Sequence, residues 1–127
     1  MNHFLLPEGN AHGSRHIVYG AQAMELLING LMKLGGRKDR MQAKLFGGAR
    51  VVDGLSDIGD ANATFAIHFM KEEGIPCVAK SLGGTQARRV RFWPVSGRAN
   101  QKQFAQTALV QRNEVPVKAV APDVTLF

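Results

Sequence analysis

The strongest constraint on this chain is a stripe. Ile17, Ala21, Met24, Leu27, Ile28, Leu31 and Leu34 recur mostly three and four residues apart. That spacing gathers them on one side of a 3.6-residue turn, so Ile17 to Leu34 reads as an amphipathic helix that must bury one face. Ser14 stands where a side-chain oxygen can cap the first free amides, and Gly35-Gly36 offers the left-handed residue that ends helices. A second helix is expected from about Ile58 to Glu73. It carries Ile58, Asn62, Phe65 and Phe69 on one face, with Asp57 as cap and Gly74-Ile75-Pro76 as stop. An aromatic face of this kind suits packing on a sheet.

Elsewhere the period changes to two. The apolar run His3 to Leu6, stopped by Pro7, suits a strand end followed by a surface loop to about Arg15. Met41, Ala43 and Leu45 alternate with Gln42, Lys44 and Phe46, a strand leading into the Gly47-Gly48 turn. Ile75 to Ser81 and Ala87 to Val95 read as strands separated by Gly83-Gly84, and Ser96-Gly97 turns into a further strand from about Arg98, so consecutive pairing is expected. Pro116 and Pro122 exclude a central strand, leaving residues 105–127 as an edge strand or flexible tail. The 127 residues are thus read as one domain, a mixed α/β fold with a layered sheet core covered by two main helices.

Composition removes several classes of function. Cys77 is the only cysteine, which excludes an intramolecular disulfide and any multi-thiolate zinc site and favours a reducing, cytoplasmic setting. No apolar run reaches the roughly 18 residues a bilayer-spanning helix needs, so no direct membrane insertion is expected. Sixteen Lys and Arg against ten Asp and Glu leave a net charge of +6, which favours acidic partners. The basic residues are scattered along the chain instead of forming one dense run with interleaved aromatics, so no nucleic-acid partner is expected.

Five segments, HFLLP (His3 to Pro7), YGAQAMELLINGLMKLGG (Tyr19 to Gly36), AKLFGGARV (Ala43 to Val51), IGDAN (Ile58 to Asn62) and LGGTQARRVRFWPVSGR (Leu82 to Arg98), resemble in order and spacing the chemoreceptor glutamine deamidase family, CheD. The resemblance covers about the first hundred residues. It implies deamidation, and sometimes demethylation, of glutamine side chains on methyl-accepting chemotaxis receptors by a cysteine nucleophile paired with a histidine; separately, no cofactor and no metal are expected. The implied histidine is His3, which opens the HFLLP-type motif. The family's nucleophile and an assisting threonine lie upstream of that motif, in a segment resembling Thr-x-x-x-Ser-Cys-Val. The sequence is therefore expected to be N-terminally truncated, of little activity by itself, and marginally stable where a neighbouring strand edge is left bare. Ser81 stands where many relatives carry an acidic residue. A catalytically inactive adaptor that binds chemoreceptors or a chemotaxis phosphatase is the alternative reading.

The chemistry explains why these residue types matter. A primary amide is a poor electrophile, and cleaving it needs a thiolate, a base to generate it and donors for the oxyanion. A free thiol titrates near ~8.5 and an imidazole near ~6.5, so histidine is the usual activator. The residue type alone favours an exposed histidine near a chain start, and the motif match reverses that order, calling for a buried, oriented His3. Cys77 alternates with Ile75 and Ala79 and reads as a small hydrophobe on an inward strand face. His12 and His16 are four apart but straddle Gly13 and lack a third ligand, and His68 reads as the edge of a packed face. Gly47-Gly48 and Gly83-Gly84 read as tight turns or as close-approach sites for a substrate amide. Arg88, Arg89 and Arg91 read as a solvated strand face or as a basic surface meeting an acidic receptor bundle.

Overall fold

In the computed structural model the described residues are 1–6, 14–51, 56–105 and 124–127. Their elements run α1 (Ser14–Lys33), a 3-10 turn (Lys38–Arg40), β1 (Ala43–Gly47), α2 (Ser56–Glu72), β2 (Cys77–Leu82), β3 (Ala87–Trp93), β4 (Arg98–Phe104) and β5 (Val124–Leu126).

The two helices end by the same device. Gly35 takes φ +93; its amide donates to Met32 O at 3.0 Å while that of Gly36 donates to Leu31 O at 2.8 Å. Gly74, at φ +67, repeats the pattern, with Gly74 N donating to Lys71 O and Ile75 N to Met70 O. Paired bonds of this kind satisfy carbonyls that a helix end otherwise strands, and Ile75 folds back beside Met70 in the core. Along the described part of the α1 stripe, Met24 and Ile28 are buried, whereas Leu31 in the last turn and Leu34 just past the helix end are exposed. Helix α1 starts at Ser14, inside the stretch expected to be loop, and the remainder of that loop lies outside the described residues.

β1, α2 and β2 form a crossover unit in which β1 and β2 pair in parallel, Lys44 opposite Ala79 and Phe46 opposite Ser81. β3 and β4 make an antiparallel hairpin, Ala87 opposite Phe104 through Trp93 opposite Arg98, and β5 adds to the free side of β4. The expected consecutive pairing therefore holds for β3 with β4 but not for β2 with β3. Gly83-Gly84 does not turn a hairpin because its backbone is bonded elsewhere: Gly83 N donates to Gly47 O at 2.9 Å and Arg50 N to Gly84 O at 2.8 Å.

β1 separates two layers. Its Ala43 and Leu45 pack on the cluster Met24, Ile28, Phe69, Met70 and Ile75 beneath the helices. Lys44 and Phe46 point the other way: Lys44 Nζ donates to Gly97 O and Phe127 O, and the Phe46 ring meets Phe127 edge-on at 5.2 Å. The order is helices, parallel pair, antiparallel sheet, which is the mixed α/β, helix-covered arrangement expected. Two close approaches depend on missing side chains. A Cβ on Gly59 would lie 2.8 Å from Gly48 O, and one on Gly20 would lie 2.7 Å from the Phe65 ring. These glycines let α2 sit on the β1 turn and let Phe65 sit on α1.

Candidate functional site

His3 lies in a segment that joins no strand, contrary to the strand end expected for His3 to Leu6. Side-chain amides hold it instead. Asn2 Nδ2 donates to Ala23 O of α1 at 3.1 Å, and Leu6 N donates to Asn62 Oδ1 of α2 at 2.9 Å. Asn62 is itself fixed, its Nδ2 donating to Ile58 O at 2.7 Å. Between these points Phe4 meets Phe65 edge-to-face at 5.6 Å and Leu6 is buried. Asn2, Phe4 and Leu6 therefore face the helices, while His3 and Leu5 face outward and are exposed. The buried imidazole expected from the motif is not found: His3 is presented to solvent from a backbone clamped on both sides. The signal that could have found the clamp is the pair HFLLP and IGDAN, since Leu6 and Asn62 meet.

Cys77 departs from its expected place. It is exposed, not inward, and its Sγ lies 3.3 Å from Ala79 O. It opens the short strand β2, where Ala79 and Ser81 of the same parity are partly covered while Val78 and Lys80 are exposed, so alternation finds the covered side but not that this first residue is left open. The thiol is accessible, but no imidazole is hydrogen-bonded to it among the described residues, and a thiol needs such a neighbour or a cationic setting to become nucleophilic. His68 is exposed and 3.7 Å from Glu72 one turn on. His12 and the side chain of His16 lie outside the described residues. Among the described residues no three His, Cys, Asp or Glu side chains converge as a metal site.

A second constellation joins the sheets. Arg88 donates from Nε to Ser81 Oγ at 3.1 Å and from its terminal nitrogens to Gly83 O at 2.8 Å and Gly47 O at 3.4 Å. Gln101, 3% exposed, donates from Nε2 to the same Ser81 oxygen at 2.8 Å. Its Oε1 is buried with no hydrogen-bond partner among the described residues. Desolvation lowers the Arg88 pKa from its ordinary value, yet a guanidinium stays charged at neutral pH. Ser81 thus serves two donors with one neutral oxygen at the position where the family resemblance points to an acid. Gly47 O and the Gly83 amide and carbonyl are all engaged internally, which makes this turn pair a structural clasp and removes the Gly83 N–H as an oxyanion donor.

The family model described as CheD chemotactic sensory transduction matches residues 5–103. The chain belongs to the CheD family. It is 53% identical over 124 residues to a probable chemoreceptor glutamine deamidase CheD of Caulobacter sp. (strain K31), covering 96% of this chain and 66% of that protein. A relative of the same name from Cereibacter sphaeroides (strain ATCC 17023) is 51% identical over 130 residues, covering 100% of this chain and 65% of its own length. A third, from Agrobacterium fabrum, is 48% identical over 134 residues, covering 100% and 74%. The chain thus spans about two thirds of the length of the CheD relatives it matches. His3 falls just ahead of the family match but inside the whole-chain matches. No helix among the described residues is long and apolar enough to cross a membrane.

Proposed function

We propose that this protein acts as a chemoreceptor glutamine deamidase in the cytoplasm, hydrolysing glutamine side-chain amides of methyl-accepting chemotaxis receptors to glutamate and ammonia. The observation that carries this reading is the identity of 48–53%, over 96–100% of the chain, to three CheD proteins so named.

In this reading a thiol loses its proton to His3 and the thiolate adds to the amide carbon. The tetrahedral oxyanion collapses with departure of ammonia, which takes its proton from the imidazolium. Water, deprotonated by His3, then hydrolyses the thioester and frees the thiol. The thiol belongs to the Thr-x-x-x-Ser-Cys-Val-type segment that the family resemblance implies, because Cys77 is bonded toward its own Ala79 carbonyl instead of an imidazole. The clamp from Asn2 and Asn62 supports the role of His3, since a base must be held in place and still reach substrate.

The test is ammonia release from a purified receptor cytoplasmic fragment. The enzyme is this chain preceded by the residues that lie ahead of the matched region in the Caulobacter relative. Turnover is expected, and His3→Ala should lower it by roughly 10²–10⁴-fold with receptor affinity nearly unchanged, because a base acts mainly in the transition state. Unchanged turnover in well-folded His3→Ala removes His3 from the site. Activity of the 127-residue chain itself that disappears with Cys77→Ala transfers the nucleophile to Cys77.

A further inference from the structure

We infer that the outer face of the β3–β4–β5 sheet is a docking surface for an acidic polypeptide, a surface of Glu and Asp side chains on a partner protein. The inference rests on the deamidase reading only for its first probe, the receptor fragment.

Scattered along the sequence, the cations are gathered by register. Residues directly opposite in an antiparallel pair share a face. Arg89 lies opposite Lys102, Arg91 opposite Asn100 and Trp93 opposite Arg98, while Arg88, Val90 and Phe92 occupy the other face with Gln103, Gln101 and Ala99. Burial separates the two sides. Ala99 is 0% and Gln101 3% exposed, whereas Arg89, Arg91, Arg98 and Lys102 are all exposed. The three consecutive-looking arginines thus divide, with Arg88 inward as the clasp and Arg89 and Arg91 outward.

Two features indicate that this face awaits an anionic partner. The first is charge that no described residue compensates. Strands β3, β4 and β5 contain no Asp or Glu, and none of the four outward cations makes an ion pair with a described residue. Arg89 faces Lys102 directly across the ladder, a like-charge pair that destabilises a sheet unless something neutralises it.

The second is the way the guanidinium groups are held. Arg89 lies over the Phe104 ring at 5.4 Å, and Arg98 and Arg91 lie over Trp93 at 5.0 and 6.0 Å. Stacking fixes the planar group while leaving its N–H edges free, and those edges match a carboxylate with two parallel hydrogen bonds. The same stacking occupies ring faces on which nucleic-acid bases would have to sit, so the chemistry favours carboxylates over a single strand.

Trp93 is the only tryptophan, so its fluorescence reports contact at this face. Titrate the receptor cytoplasmic fragment into the native chain, into Arg89→Glu/Arg91→Glu, and into Arg40→Glu/Lys71→Glu. The last pair makes an equal change of net charge at exposed cations outside the sheet. Expected are a Trp93 signal on binding, a loss of about tenfold or more in affinity for the sheet variant only, and weakening of native binding with salt. Equal affinity in all three proteins, or equal loss in both variants, overturns the docking surface and leaves the deamidase reading standing. If the receptor fragment does not bind the native chain, the receptor reading fails and poly-glutamate decides the surface by the same comparison. A twenty-nucleotide single strand that binds more tightly than poly-glutamate, with the same loss in the sheet variant, overturns the polypeptide assignment. Should the double Glu variant not fold, Arg89→Gln/Arg91→Gln takes its place.

Discussion

The two sides of β1 are held by different physics. Toward the helices, cohesion is apolar: Met24, Ile28, Phe69, Met70 and Ile75 form a buried cluster, with Phe4, Ala21, Met41, Ala43, Leu45 and Phe65 packed around it. Toward the antiparallel sheet, cohesion is mostly polar and directional. Arg88 reaches three acceptors, Gln101 shares Ser81, and Lys44 reaches Gly97 O and Phe127 O. An apolar cluster loses stability in proportion to the volume removed, whereas a hydrogen-bonded clasp loses it when one donor leaves several acceptors unsatisfied. The candidate base stands on the first side and the basic docking face on the second, so the clasp is also the mechanical link between the two.

The largest effect should come from the apolar side. Phe69→Ala removes a buried ring at the centre of the cluster and is expected to cost about 3–5 kcal/mol, read as a fall in urea midpoint common to all probes. A cost below 1 kcal/mol would mean that the cluster is not what holds the helices to β1.

Arg88→Met tests the other side and should cost less, roughly 2–3 kcal/mol, because water can reach part of what the guanidinium leaves. Its signature is the distribution of the loss: amide exchange in β3, β4 and β5 should accelerate more than in α1 and α2. If every amide in both layers accelerates equally, the contrast between the two sides fails and the molecule melts as one unit.

How far these sides were legible in the sequence follows from what fixes each of them. Period alone located both helices, because Met24, Ile28 and Phe69 obey a local rule of spacing, and the glycines at 35 and 74 ended them as expected. The hairpin of β3 and β4 was likewise local. Pairing of β2 with β1 was not, since it joins Ala43–Gly47 to Cys77–Leu82 across the whole of α2, a partnership that no period encodes. Cys77 was placed inward by alternation, but it stands at the first residue of β2 and is exposed. The split of Arg88 from Arg89 and Arg91 was implicit in the two-residue period, but which parity faces inward is set by Ser81 and Gln101. The His3 motif was legible only through family resemblance. Its clamp, an amide of Asn62 reaching Leu6, joins residues that the chain brings together only on folding.

That clamp carries the smallest expected effect and the most local one. Asn62 Oδ1 accepts from Leu6 N at 2.9 Å, and its Nδ2 donates to Ile58 O at 2.7 Å. In Asn62→Ala the Ile58 carbonyl keeps its place in the helix, so the loss should be close to one net hydrogen bond, about 1 kcal/mol. The Phe4 ring against Phe65 and the buried Leu6 side chain still hold the segment, so global melting should move little. The Leu6 amide has lost its acceptor, however, and its exchange should quicken by about five- to tenfold while the α2 amides keep their protection. In the deamidase reading a looser segment also lowers turnover more than receptor affinity, because the cost falls on orienting His3. An unchanged Leu6 amide would assign the clamp to the Phe4–Phe65 contact alone, and Asn62 would then be a helix residue with no part in holding the base.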